Sequence, residues 1–128
     1  MPLRLPSRED TPSPDPTTAR ERLRRAMTDA LRTRGLHGVG VAELLSHAQA
    51  PKGVLYHHFP GGKLELAVAA LRANAGRSAA AIDRLAASGT PLVEGLRAWM
   101  HAALQQLEAG SFERGCPLAA AALAARPD

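Results

Sequence analysis

The chain has 128 residues, 45% of them hydrophobic, and a formal net charge of +4. Of the hydrophobic residues 26 are Ala and 18 Leu but only six Val or Ile, which favours helix over strand because strands want β-branching. No apolar run approaches the roughly 20 residues of a membrane span, MPLRLPSRED lacks the apolar core of a secretory signal, and the single Cys116 cannot pair internally, so we expect an all-α protein of the cytoplasm.

Residues 1–16, rich in Pro, Ser, Thr and charge, cannot bury a core and read as a disordered arm. Order should begin at Thr17–Thr18, where Thr18 and Glu21 have the spacing of a capping box. Leu23, Ala26, Met27, Ala30 and Leu31 then recur as one helical stripe. Arg20, Arg24, Asp29 and Arg32 lie opposite, a face expected to be mostly solvated. Gly35 supplies the stop.

Beyond the Gly-punctuated turn GLHGVG, Val41, Leu44, Leu45 and Ala48 predict a second, two-turn helix. A break follows at Gln49–Ala50. Pro51, tolerated in a first turn where its missing N–H would be unpaired anyway, opens a third helix to about His58, with Leu55 and Phe59 on the packing side. Two short helices around a tight break have the form of a helix-turn-helix.

Pro60-Gly61-Gly62 is a stop, and a long helix runs from Lys63 to about Ala87. Its expected inner face is Leu64, Ala67, Val68 and Leu71, then Ile82 and Leu85. Ser88-Gly89 ends it, Thr90 is placed to cap the next helix, and Pro91 to stand at its first position. That helix carries a broad apolar face from Leu92 to Leu107. Residues 110–115 form a loop, and Pro117 opens a final Ala-rich helix that ends at Arg126-Pro127.

Charge is unevenly spread. Residues 17–77 hold ten basic residues against four acidic ones, whereas the segments on either side each net −1. A concentrated basic block is the electrostatic footprint of a nucleic-acid binder, although it also suits an anionic membrane surface. The chain has 14 Arg and two Lys, and both lysines lie between Pro51 and Leu66.

That stretch, PKGVLYHHFPGGKLEL, carries a resemblance. With its surroundings from Thr18 to Leu71 it resembles the amino-terminal DNA-binding domain of TetR/AcrR-family transcriptional repressors, matching the recognition helix and the start of the fourth helix. The later GCPLAAAAL, ending at Leu123, is similar to the subgroup that includes the LmrA and YxaF repressors. The resemblance implies an N-terminal helix-turn-helix domain of three helices joined by a long helix 4 to a helical C-terminal domain, which is incomplete here. It implies double-stranded operator DNA as partner, a homodimer where the dimerising surface is complete, an unidentified small hydrophobic effector, and no cofactor.

The residues fit that implication physically. Lys52 and Gly53 at the start of the recognition helix offer a cation and a bare backbone for close approach to DNA. Tyr56 matches the family's phosphate-binding tyrosine and Lys63 its phosphate-binding lysine, near free amides at a helix start. His57 is a candidate base or phosphate contact, whereas His58 and Phe59 read as packing residues. Leu96, Trp99, Met100, Ala103 and Leu107 are the candidate effector-pocket lining, against the plainer reading that they are core. Two positions depart from the family pattern. Val39-Gly40 stands where a capping Ser or Thr is usual, and Gln49 where the turn usually carries a left-handed Gly, at a cost of about 1 kcal/mol.

Other chemistry is poorly supported. Cys116 beside Pro117 reads as a packing residue rather than a nucleophile, since no base and orienting group accompany it. His37, His47, His57 and His58 lack Cys or carboxylate partners at ligand spacing, so no metal is expected. The expected organisation is an arm at 1–16, the helix-turn-helix domain at 17–62, a connecting helix at 63–87 as the mechanical link, and a partial effector-binding domain at 88–128. The function expected is sequence-specific repression relieved by a small molecule, without enzymatic activity and without a membrane partner. The rival expectation is a truncated, unregulated helical interaction module with weak, non-specific DNA binding. A chain that stops soon after Leu123 would be a truncated product, a fragment, or a short form that pairs through helix 91–108.

Overall fold

The computed structural model describes residues 16–125. The expected arm, the end of the last helix at Arg126-Pro127, and the Thr18 side chain with its capping box lie outside what is described. Six helices follow in order: α1 (Pro16–Thr33), α2 (Val41–Ala48), α3 (Lys52–His58), α4 (Lys63–Ala87), α5 (Leu92–Ala109) and α6 (Pro117–Ala124). Among the described residues there is no strand, and no helix is long and apolar enough to cross a membrane.

α1 is the central helix, packed by α2, α3, α4 and α6. Its stripe of Leu23, Ala26, Met27 and Leu31 is buried, with Ala30 packed at the edge. The helix ends as its sequence demands. The amides of Arg34 and Gly35 both donate to the Ala30 carbonyl, at 2.8 and 3.1 Å, and Gly35 takes φ +74°, open to a residue without Cβ. Leu44 and Ala48 of α2 and Leu55 and Phe59 of α3 complete the core with Leu66, Ala67 and Ala70 of α4.

α4 has the predicted bounds but a different inner face. Leu66, Ala67, Ala70 and Asn74 are buried, while Leu64, Val68 and Ile82 are exposed. Leu71 packs at the core's margin. In an Ala-rich helix several stripes have similar apolar content, and contact with α1 selects the one carrying Leu66.

Two helix starts also differ. Pro51 and Pro91 are N-cap residues, one position before the first turn. Thr90 does not cap α5, because its hydroxyl instead pairs with that of Ser88 at 2.7 Å. At α6 the expected arrangement holds, with Pro117 in the first turn. Yet it is Pro117 that is buried, and Cys116 is exposed rather than packed.

α5 is the least integrated helix. Gly95 is its one buried residue, seated so closely on α4 that a Cβ there would lie 3.0 Å from Leu85 Cδ2. The loop after α5 returns to α1, where the Gly115 amide donates to the Arg32 carbonyl at 2.9 Å and the Arg114 guanidinium pairs with Asp29. Asp29 also faces His47 of α2, its Oδ2 lying 3.8 Å from the imidazole Nε2. Helix α4 is therefore not the sole link between the two ends of the molecule, as the sequence suggested.

Candidate nucleic-acid interface

The site begins with how α3 is held. Its seven residues are too few for a stable helix in isolation, so tertiary contacts must fix it. Leu55 and Phe59, four apart, bury one side completely. The Arg20 guanidinium sits over the Phe59 ring, 5.1 Å from its centroid, at the C-terminal end of α3. At the other end, Arg22 Nε donates to the Ala48 carbonyl at 2.9 Å, satisfying an acceptor that the end of α2 leaves free. Two arginines of the basic face of α1, expected to be largely solvated, thus brace the C-terminal end of α3 and the end of α2 that precedes the turn. Arg24 and Arg25 both pair with Glu21, and Arg34 pairs with Glu43.

The turn into α3 has the unusual backbone its sequence implied. Gln49 lies at φ 52°, ψ 45°, in the left-handed region that disfavours a side chain by about 1 kcal/mol. The Ala50 amide, donating to Leu45 O at 3.0 Å, locks the turn. Ahead of α2, Gly40 is the N-cap and no side chain caps the helix, as expected of Val39-Gly40.

With Leu55 and Phe59 turned inward, Lys52, Gly53, Tyr56 and His57 emerge together on the outer side of α3, and all four are exposed. Their spacing of i, i+1, i+4 and i+5 places them on one helical face. Gly53 has nothing within 4 Å of where a Cβ would stand. The Lys52 ammonium lies 6.0 Å from the centre of the Tyr56 ring, within reach of a cation–π contact. His58 is half-buried, its ring edge-on to that of His57 at 5.0 Å.

Tyr56 is positioned from the other side by Gly62. This glycine is buried and adopts φ +71°, and a Cβ on it would stand 3.2 Å from Tyr56 Cε1. The same glycine is the N-cap of α4, so the turn that aims Tyr56 also starts the helix whose first residue is Lys63. Sequence reasoning missed Glu65, whose Oε2 accepts the Gly61 amide at 2.5 Å. That carboxylate occupies one amide near the start of α4, leaving Lys63 as the cation there. All five sequence-selected residues, Lys52, Gly53, Tyr56, His57 and Lys63, thus belong to one region spanning α3 and the α4 N-terminus.

The candidate effector residues are arranged differently. Leu96 and Met100 line an open groove along α5 with Val93, Arg97, His101 and Leu104. Trp99, Ala103 and Leu107 are not part of its lining. A separate pocket of about 280 Å³ lies between α1, α2 and the Arg114 loop, bordered by Asp29, Glu43 and His47.

Comparison with known proteins places this arrangement. Residues 25–70 match the model of bacterial regulatory proteins of the tetR family. An uncharacterised HTH-type transcriptional regulator of Mycobacterium tuberculosis is 36% identical over 106 residues, which is 83% of this chain and 53% of that protein. The HTH-type transcriptional regulator LmrA of Bacillus subtilis is 42% identical over 53 residues, 41% of this chain and 28% of LmrA. The crystal structure of the regulatory protein TetR from Rhodobacter sphaeroides superposes with a TM-score of 0.76 at 30% identity, covering 86% of this chain and 59% of that one. The chain thus spans about half the length of the Mycobacterium relative it matches. These relatives are transcriptional regulators, not enzymes.

Proposed function

The chain belongs to the tetR family of bacterial regulatory proteins, and from that premise we propose that it binds double-stranded operator DNA through α3 and represses transcription. The observation that carries this reading is the outer face of α3, where Lys52, Gly53, Tyr56 and His57 are exposed together above a fully buried Leu55. A helix presented in this way fits the major groove, where base edges are distinguishable. Gly53 lets the backbone approach, Lys52 supplies charge at the helix start, and His57 contacts a base or phosphate. Tyr56, held by Gly62, directs its hydroxyl to a phosphate, and Lys63 neutralises the next, fixing the register of α3 on the duplex.

In this reading residues 17–62 are the DNA-binding unit, 63–87 the connecting helix and 88–128 part of a regulatory domain. A small apolar effector bound beside α5, where Leu96 and Met100 line the groove, would act through α4 and through the Arg114 loop to move α3 off the DNA. A homodimer would present two such helices to half-sites about one helical turn apart.

The test is fluorescence-anisotropy titration of a DNA fragment from the gene's own upstream region against a scrambled duplex, at two salt concentrations. Selective binding is expected. Tyr56→Phe should weaken binding to both duplexes by a similar factor, and Lys63→Ala should lower the slope of log K against log salt by about one, as one fewer counterion is released. A change in base preference for Tyr56→Phe would remove its phosphate role. No binding even at low salt would refute the DNA reading and leave a helical interaction module.

A further inference from the structure

We propose that Lys52 makes guanine the base this chain selects, its ammonium donating to N7 and O6 at the major-groove edge, an inference that rests on α3 being the DNA-contacting helix. The side chains of α3, Lys52–His58, include no Asp, Glu, Asn or Gln. The helix therefore has no carboxamide to match adenine N6 and N7, and no carboxylate to accept from cytosine N4. Gln49, the nearest carboxamide before it, stands in the left-handed turn and not on the helix. Val54, the exposed face's one candidate to meet a thymine methyl, is packed against the core. With the Tyr56 hydroxyl at phosphate, the exposed face offers donors to the bases: the Lys52 ammonium, with three protons and no lone pair, and the His57 imidazole.

Guanine is the base that suits such a donor. Its major-groove edge carries two acceptors side by side, N7 and O6, so an ammonium meets lone pairs at both. Adenine sets its N6 donor beside N7, cytosine shows only a donor, and thymine flanks its single acceptor with a methyl. Position and freedom favour Lys52 for the role. It is the first residue of α3, and the N-terminal residues of a recognition helix are those that reach base edges. Gly53 beside it has open space where a Cβ would stand, so the helix start can sit close to the groove floor. No carboxylate among the described residues pairs with Lys52, whereas Arg24, Arg25, Arg34 and Arg114 each have one. The Tyr56 ring, 6.0 Å from the ammonium, limits its sweep, and the close approach of Gly62 fixes that ring in turn. A charge that only neutralised phosphate would raise affinity without choosing a base.

The test is selection by the intact chain, at low salt, from duplexes with a randomised central segment, followed by sequencing of the retained DNA. The expected product has a G·C pair at a fixed position. Lys52→Gln should move that position to A·T, because a carboxamide pairs with adenine N6 and N7, while the rest of the selected sequence stays as it was. Lys52→Arg should keep guanine. Lys52 is exposed, so these variants should fold as the parent does. In the selected duplex, 7-deazaguanine at that position removes the N7 acceptor. It should weaken binding by the parent chain on the order of tenfold and leave the residual binding of Lys52→Ala unaffected. A selected sequence without guanine, or one unchanged in Lys52→Gln, would make Lys52 a phosphate contact and overturn the proposal. Salt-sensitive binding with no enrichment would also overturn it, leaving α3 a non-specific DNA binder. No binding at low salt would instead refute the DNA reading itself, and the proposal with it.

Discussion

Removing the Arg22 side chain should cost more than a partly exposed arginine on a helix surface normally would. Arg22 donates from Nε to the Ala48 carbonyl across 26 residues of sequence. The neighbouring acceptors at the end of α2 are already used, with Leu45 O taking the Ala50 amide and Ser46 O the Gln49 amide. A hydrogen bond involving a charged group contributes about 1.5–3 kcal/mol net. A cation at a helix C-terminus adds about 0.3–1 kcal/mol more. Arg22 is half-buried, so water replaces part of the lost bond in the mutant, and the expected destabilisation of Arg22→Ala is about 1–2 kcal/mol. Urea unfolding of the full chain measures this directly, as a lowered midpoint at unchanged slope. Arg22→Lys should recover a fraction only, since it keeps the charge near the carbonyl but lacks the fixed planar donor. The loss should also be local, with faster hydrogen exchange at the Ala50 amide. If Arg22→Ala stays within the ~0.5 kcal/mol scatter of ordinary surface substitutions, the bond does not hold the turn and the reasoning is wrong.

The rotated face of α4 predicts a contrast between two leucines two residues apart. Leu66→Ala, at a fully buried position, should cost about 2–4 kcal/mol, and Leu64→Ala, at 64% exposure, less than about 0.5 kcal/mol; thermal or urea unfolding giving the reverse order would mean that the predicted stripe was right after all. Gly62→Ala introduces a Cβ at φ +71° and 3.2 Å from the Tyr56 ring. It should destabilise by about 1–2 kcal/mol and weaken DNA binding by displacing Tyr56, whereas unchanged anisotropy titrations would show that Gly62 does not position that side chain.

Much of this was legible in the sequence because local chemistry settled it. Gly35, the Pro60-Gly61-Gly62 stop and Pro117 mark their boundaries through backbone geometry, and α4 runs over the expected Lys63–Ala87. The outward set on α3 followed from the inward pair Leu55 and Phe59. What escaped notice depends on partners distant in the chain. Nothing near Arg20 or Arg22 announces that one will stack on Phe59 and the other reach Ala48. Periodicity alone could not choose between Leu64 and Leu66, because the alanines around them serve either stripe. Thr90 has the chemistry of a cap, but the Ser88 hydroxyl two residues earlier claims it first.

The return of the Arg114 loop to α1 closes the molecule into a mechanical circuit. α1 is joined to α4 by packing, α4 to α5 at Gly95 and Leu85, and α5 back to α1 through Gly115 and Arg32. A helix attached at both ends cannot swing as a free lever. If α5 tilts, either α4 turns against α1 or the 110–116 segment yields. Ser111 and Phe112, at φ 53° and 60°, already sit in conformations costly for side-chain-bearing residues, which makes that segment the natural hinge. Whatever presses on α5 is therefore divided between a stiff limb and a compliant one, and their relative stiffness sets how much of the push reaches α1.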